Sequence, residues 1–146
     1  TEEVFQILNR EKNTSIHLEA FPEVPSKWEN AKLFQKWNKL KKIRDVANAA
    51  IEVKRSNKDI GSSLEAEVQI YLSKEYLELV KDVDLPEYFI TSKVEAKTTI
   101  NDDKLFQLDE VGNVKVLVKK AKGNKCSRCW KILQNPCERN NCGLKN

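Results

Sequence analysis

The sequence predicts an α+β, multi-part chain: a helical segment dominated by one long basic helix, a small α/β unit of about three strands and one helix, and a cysteine-rich C-terminal module. Three observations carry that prediction. Apolar residues recur at helical spacing from Leu33 to Ile51, strand-like alternation marks residues 66–72 and 114–118, and all four cysteines fall in the last 21 of 146 residues. The expected division is 1–61, 62–122 and 123–146. A chain of this length holds one ordinary domain, or a domain with a satellite, and is too short for a large multidomain enzyme. It contains no methionine at all, which suggests a piece excised from something longer.

Residues 1–25 read as an entry segment that opens with a short amphipathic helix carrying Val4, Phe5, Ile7 and Leu8. Around Pro22 and Pro25 the chain is extended or turning. Ser26-Lys-Trp-Glu29 then has the pattern of a capping box, in which hydroxyl and carboxylate satisfy each other's orphan N–H groups. Leu33, Trp37, Leu40, Ala47 and Ile51 project within a sector of about 80°, so one helix is expected from about 27 to 57. Arg44 lies on that apolar stripe, where a charge must be paired, snorkelled or reserved for a ligand. Gly61 is placed to end the helical region in a left-handed conformation. Ser62-x-x-Glu65 is compatible with another helix, yet Val68, Ile70 and Leu72 alternate, and 66–72 is assigned to a strand. Ser73 caps a short helix running to about Lys81, with Tyr76, Leu77 and Val80 inward. Tyr88–Val94 reads as a second strand and Val114 to about Lys120 as a third, with 97–112 between them as an exposed polar loop.

Charge is unevenly placed. Residues 115–146 hold nine Lys/Arg against the single acid Glu138, a net of +8, while the other 114 residues carry −4. Such asymmetry points to nucleic acid or another polyanion. Between Lys27 and Lys58 there are ten basic and three acidic residues, either a solvated flank or a phosphate-facing surface. With 33% charged residues, a mean hydropathy of −0.61, no stretch near the ~20 apolar residues of a membrane span and no signal-peptide core, the chain is expected to be soluble and cytoplasmic. His17 is the sole histidine and cannot form a catalytic pair with another.

Cys126-Ser-Arg-Cys129 and Cys137-Glu-Arg-Asn-Asn-Cys142 have the spacing of a tetrahedral Cys₄ zinc site, each pair forming one turn that supplies two thiolates. Disulfides, which are not expected in the cytosol, an iron–sulfur centre and free thiols are the competing readings. About 20 residues cannot build an apolar core, so a metal would have to fold the module, with a structural rather than catalytic role. Lys125, Arg128, Lys131 and Arg139 surround the cysteines. Trp130 follows the first pair directly, either to stack on an unpaired base or to pack as the module's large apolar residue.

Taken together, Ser15-Ile-His-Leu-Glu-Ala-Phe-Pro22, the segment with Trp28 and Trp37, Ile60-Gly-Ser-Ser-Leu-Glu-Ala66, Phe89-Ile-Thr-Ser92 and Lys125-Cys-Ser-Arg-Cys-Trp130 resemble, in this order, the bacterial isoleucyl-tRNA synthetases. The Ser15-Ile-His-Leu run and the Ile60–Ala66 segment have relatives in the valyl and leucyl enzymes, and the Cys-x-x-Cys-Trp end selects the isoleucine family. The resemblance implies a C-terminal portion: the later part of a helical anticodon-binding domain in 1–61, an α/β junction in 62–122 and a zinc module in 123–146. It implies one structural Zn²⁺, tRNA(Ile) and the remainder of the synthetase chain as partners, and a monomer. ATP and Mg²⁺ belong to catalytic domains whose HIGH and KMSKS motifs have no counterpart in this sequence, so the chain by itself has no catalytic residues. The second cysteine pair departs from the family's usual Cys-x-x-Cys by a wider spacing. For His17 the family segment suggests a part in shaping the anticodon domain, beside a plain structural hydrogen-bonding role.

The leading functional expectation is tRNA binding on the anticodon side. Phosphate contacts would come from Lys36, Arg44, Lys54, Arg55 and Lys58 on the helical segment, and contacts to splayed bases from Lys125, Arg128, Trp130, Lys131 and Arg139. A stand-alone zinc-ribbon interaction protein is the alternative. A third reading makes the basic surface a docking face for the rest of the same polypeptide.

Overall fold

A computed structural model describes residues 1–10, 14–99, 105–135 and 137. The chain divides into two compact units, Thr1–Ala31 and Lys32–Asn146.

In the first unit, helix α1 (Glu2–Leu8) forms where the amphipathic pattern expects it. The Glu2 carboxylate gathers the segment, accepting from Gln6 Nε2 (2.8 Å), Ser15 Oγ (2.9 Å) and the Ile16 N–H (3.1 Å). These bonds, that from Gln6 first, hold its pKa below the ordinary value. Ser15 also accepts from the His17 N–H at 3.2 Å, opening a 3₁₀ turn over Ile16–Leu18. The expected capping box does not start the long helix. Ser26–Trp28 is a separate 3₁₀ turn headed by Pro25, with no side-chain cap, and Glu29 leaves it in an extended conformation. An N-cap must itself be extended, and Ser26 is already inside a turn.

Helix α2 therefore begins at Ala31 and runs to Ser56. Leu40, Ile43, Val46, Ala47, Ala50 and Ile51 form its buried face, while Leu33, Phe34 and Trp37 in the first turns stay exposed. The expected stripe thus holds from Leu40 onward. The helix closes in a Schellman pattern: Lys58 is left-handed (φ 62°), its N–H donating to the Arg55 carbonyl (2.9 Å) and that of Asp59 to the Lys54 carbonyl (3.0 Å). Lys58, not Gly61, takes the strained position. The closing bonds and the Lys54–Asp59 ion pair at 2.9 Å offset the roughly 1 kcal/mol that a non-glycine residue costs there.

The three-stranded sheet has the order β2-β1-β3, with β1 (Ala66–Leu72) central, β2 (Lys93–Lys97) parallel to it and β3 (Val114–Lys120) antiparallel. Register pairs Val68 with Val94 and Val118, and Ile70 with Ala96 and Val116. Ala66, Val68, Ile70, Val114, Val116 and Val118 join the buried face of α2 in one apolar core. The parallel pair requires a crossover, supplied by α3 (Lys74–Val80) and α4 (Leu85–Tyr88). Ser73 caps α3 as expected, accepting from the Tyr76 N–H at 3.4 Å.

The second strand starts five residues later than the β-rich composition suggests. Asp84 accepts from the Glu87 N–H (3.1 Å) with Pro86 in the first turn, so Asp84-Leu-Pro-Glu nucleates α4 and carries Tyr88 with it. Phe89 is buried as an anchor behind that turn, and Ile90 is left-handed (φ 56°), which reverses the chain into β2. The loop expected over 97–112 is not simply exposed either. Phe106 exchanges two 2.8 Å backbone bonds with Val116, and Phe106, Leu108 and Val111 pack against the core; residues 100–104 lie outside those described.

On β2, Lys93 and then Lys97 hydrogen-bond the Glu95 carboxylate and lower its pKa from 4.5 to about 2. A depressed carboxylate stabilises the fold above the ordinary value, and that stabilisation is lost as pH falls from about 4.5 toward 2. Glu95→Gln should therefore flatten the stability profile in this window, read by denaturant unfolding at stepped pH, and leave the shape of the profile above pH 6 unchanged.

Candidate metal centre

The sheet edge where β1 and β2 begin and β3 ends carries the next element. The Ala121 N–H donates to the Glu65 carbonyl (2.8 Å), and the chain passes into a hairpin of β4 (Asn124–Lys125) and β5 (Ile132–Leu133). Gly123 makes the entry at φ 136°, where an added Cβ would lie 2.2 Å from the Leu133 carbonyl oxygen. Only glycine tolerates both the conformation and the approach.

The hairpin tip is the first cysteine pair. The Cys126 N–H donates to the Lys131 carbonyl and the Trp130 N–H to the Cys126 carbonyl, each at 2.9 Å. Trp130 is left-handed (φ 62°), which turns the chain back after Cys129. This loop brings the Cys126 and Cys129 sulfurs together with that of buried Cys137, all within 4.8 Å of one another, and places Cys129 Sγ 3.8 Å from Cys137 Sγ. A disulfide needs about 2.05 Å. Tetrahedral thiolates about 2.3 Å from one metal lie about 3.8 Å apart, so the spacing fits metal ligation. Burial first, then the neighbouring thiols, raise the Cys129 pKa, as expected of sulfurs gathered where a cation would be needed to ionise them together. Cys142, the expected fourth ligand, and Arg139 lie outside the described residues.

Lys125, Arg128, Trp130 and Lys131 occupy the same hairpin. Trp130 is 60% exposed, with Lys125 Nζ 6.0 Å from its ring centroid. Lys131 is turned inward toward Glu87, at 3.3 Å. The α2 candidates are not gathered into one site. Lys36 is half-buried near the start, while Lys54 pairs with Asp59 and Arg55 with Glu52 near the end. Arg44 is explained by packing: its guanidinium lies 5.2 Å from the Tyr88 ring centroid, with Tyr88 in turn 5.5 Å from Trp37. Tyr88 and Gly123 escape sequence reasoning, although a glycine three residues before a metal-loop cysteine is a usable signal.

No protein-family model matches the chain. Curated proteins similar to it are enzymes of the aminoacyl-tRNA synthetase class. They are isoleucine–tRNA ligases, and the chain corresponds to a segment of a bacterial member of that family. That of Pelagibacter ubique is 43% identical over 141 residues, 95% of this chain and 14% of the relative. Those of Bradyrhizobium diazoefficiens and Bartonella henselae are each 38% identical, over 92% and 84% of this chain and 14% and 13% of their own lengths. The chain thus spans about one seventh of the enzymes it matches.

Two outcomes follow for the hairpin. Elemental analysis of purified protein should find about one metal equivalent per chain, lost in Cys129→Ser. Gly123→Ala should disorder the β4–β5 amides in a heteronuclear NMR spectrum while leaving those of β1 and β3 in place.

Proposed function

We propose that this chain is the C-terminal, anticodon-side tRNA-binding region of an isoleucine–tRNA ligase, a cytoplasmic monomer that joins isoleucine to tRNA(Ile) with ATP and Mg²⁺ in domains other than this one. The observation that carries the reading is the hairpin itself, where a thiol cluster fit for a metal fixes an exposed tryptophan among lysines and an arginine, in a segment homologous to that enzyme family. The metal is a structural Zn²⁺ held by Cys126, Cys129, Cys137 and Cys142, because four thiolates with no open position suit zinc as a structural ion.

In this reading residues 1–61 end a helical anticodon-binding domain, 62–122 form the junction and 123–146 the zinc module. Lys36, Lys54, Arg55 and Lys58 face phosphates, which position RNA without reading it. Trp130 offers a ring to an unpaired base, with Lys125 and Arg128 beside it and Arg139 from the following segment. The exposed Leu33, Phe34 and Trp37 on α2 support contact with the rest of the synthetase chain.

The test is tRNA binding by zinc-loaded protein across a salt series. Affinity should fall with a log–log slope of about −0.7 to −0.9 per phosphate neutralised. Trp130→Ala should weaken tRNA(Ile) by about tenfold, the lower part of the range for one base stack, without changing that slope. Salt-independent binding, or no loss in Trp130→Ala, would refute the assignment.

A further inference from the structure

Ser92 plays no part in the cysteine pattern, yet it stands where the hairpin meets the sheet. It is 8% exposed. Its backbone N–H donates to the Ala66 carbonyl (3.1 Å), its hydroxyl donates to the Leu64 carbonyl, and its oxygen accepts the Ile132 N–H at 2.6 Å. A hydroxyl has one proton and two lone pairs. Donation to Leu64 fixes the rotor, and the fixed rotor turns a lone pair toward Ile132.

Ile132 opens β5 and follows Lys131, whose carbonyl accepts from the Cys126 N–H. Ser92 is therefore one hydrogen bond away from the backbone of the cysteine loop. A second tether comes from Lys131 itself, whose side chain is only 12% exposed and reaches Glu87 at 3.3 Å. Apolar packing does not do this job. Among the described residues, none from 121 onward belongs to the apolar core, and a cleft of about 490 Å³ lined by Glu67, Lys93, Lys122 and Leu133 opens between hairpin and sheet.

We propose that Ser92 is a positioning residue for the metal hairpin: its hydroxyl pegs β5 to the sheet edge, holding the cysteine loop preformed and its basic, aromatic tip in one orientation. Attachment and metal retention are then coupled, since loosening Ile132 loosens the Lys131 carbonyl that closes the Cys126 turn. This coupling rests on the zinc reading above; the peg itself does not.

The experiment compares wild type, Ser92→Ala and Ser92→Thr in the full chain by amide hydrogen exchange and by zinc release to a chromophoric chelator. Ser92→Ala should speed exchange at Ile132 at least tenfold relative to β1 and β3 amides and release zinc several-fold faster, and Ser92→Thr, which keeps the hydroxyl, should restore both. Unchanged Ile132 exchange, or equal acceleration at every amide, would overturn the peg. Faster Ile132 exchange with unchanged zinc release would overturn the coupling. Failure of the wild type to take up zinc would overturn the metal reading instead, and Ile132 exchange alone would then judge the peg.

Discussion

The β4–β5 hairpin adds nothing to the apolar core, and the way it is held depends on that constraint. A strand pair of two residues each, joined by a loop that carries Arg128 and Lys131, cannot order itself by burial, because an isolated hairpin is marginal in water even when longer. Directional contacts take the place of area: converging thiols, a glycine laid against the opposite backbone, and a buried serine that accepts the N–H of the returning strand. Each of these is sensitive to a displacement of about an ångström. An aromatic and basic tip is thereby presented on a rigid mount, and preorganised contacts of that kind bind at lower entropic cost.

The rest of the second unit is built the other way. Its central strand β1 is covered along both edges and shares an apolar core with α2, so β-branched side chains and the helix face specify the fold without special geometry. The polar departures are few and local. Arg44 meets the Tyr88 ring beneath Trp37, and burial raises the Tyr88 pKa while the Arg44 charge pulls it back. Lys58 accepts a left-handed backbone to close α2. No helix among the described residues is long and apolar enough to cross a membrane.

What the sequence reveals and what it conceals divide along the same line. The 66–72 and 114–120 strands and the Ser73 cap are local patterns that appear where expected, and three of the four cysteines, Cys126, Cys129 and Cys137, come together as their spacing suggests. Errors arise where a local signal meets a stronger neighbour. Ser26 and Glu29 have cap chemistry, but Ser26 is taken into a 3₁₀ turn headed by Pro25 and Glu29 leaves that turn extended. Tyr88-Phe-Ile has strand propensity, but Asp84 and Pro86 start a helix that takes in Tyr88, and Ile90 turns the chain. Gly61 sits at the right distance from α2, yet Lys58 completes the closing bonds three residues earlier. Ser92 is invisible for a different reason: its partners Leu64 and Ile132 lie 28 and 40 residues away, and no periodicity encodes such a contact.

The central claim, that sulfur ligation of one zinc ion closes the hairpin, is tested most directly by zinc K-edge X-ray absorption on the purified chain. The account predicts a single shell of about four sulfurs near 2.3 Å, supplied by Cys126, Cys129, Cys137 and Cys142. A first shell dominated by oxygen or nitrogen near 2.0 Å would contradict it, as would a zinc-free protein whose hairpin is nonetheless ordered.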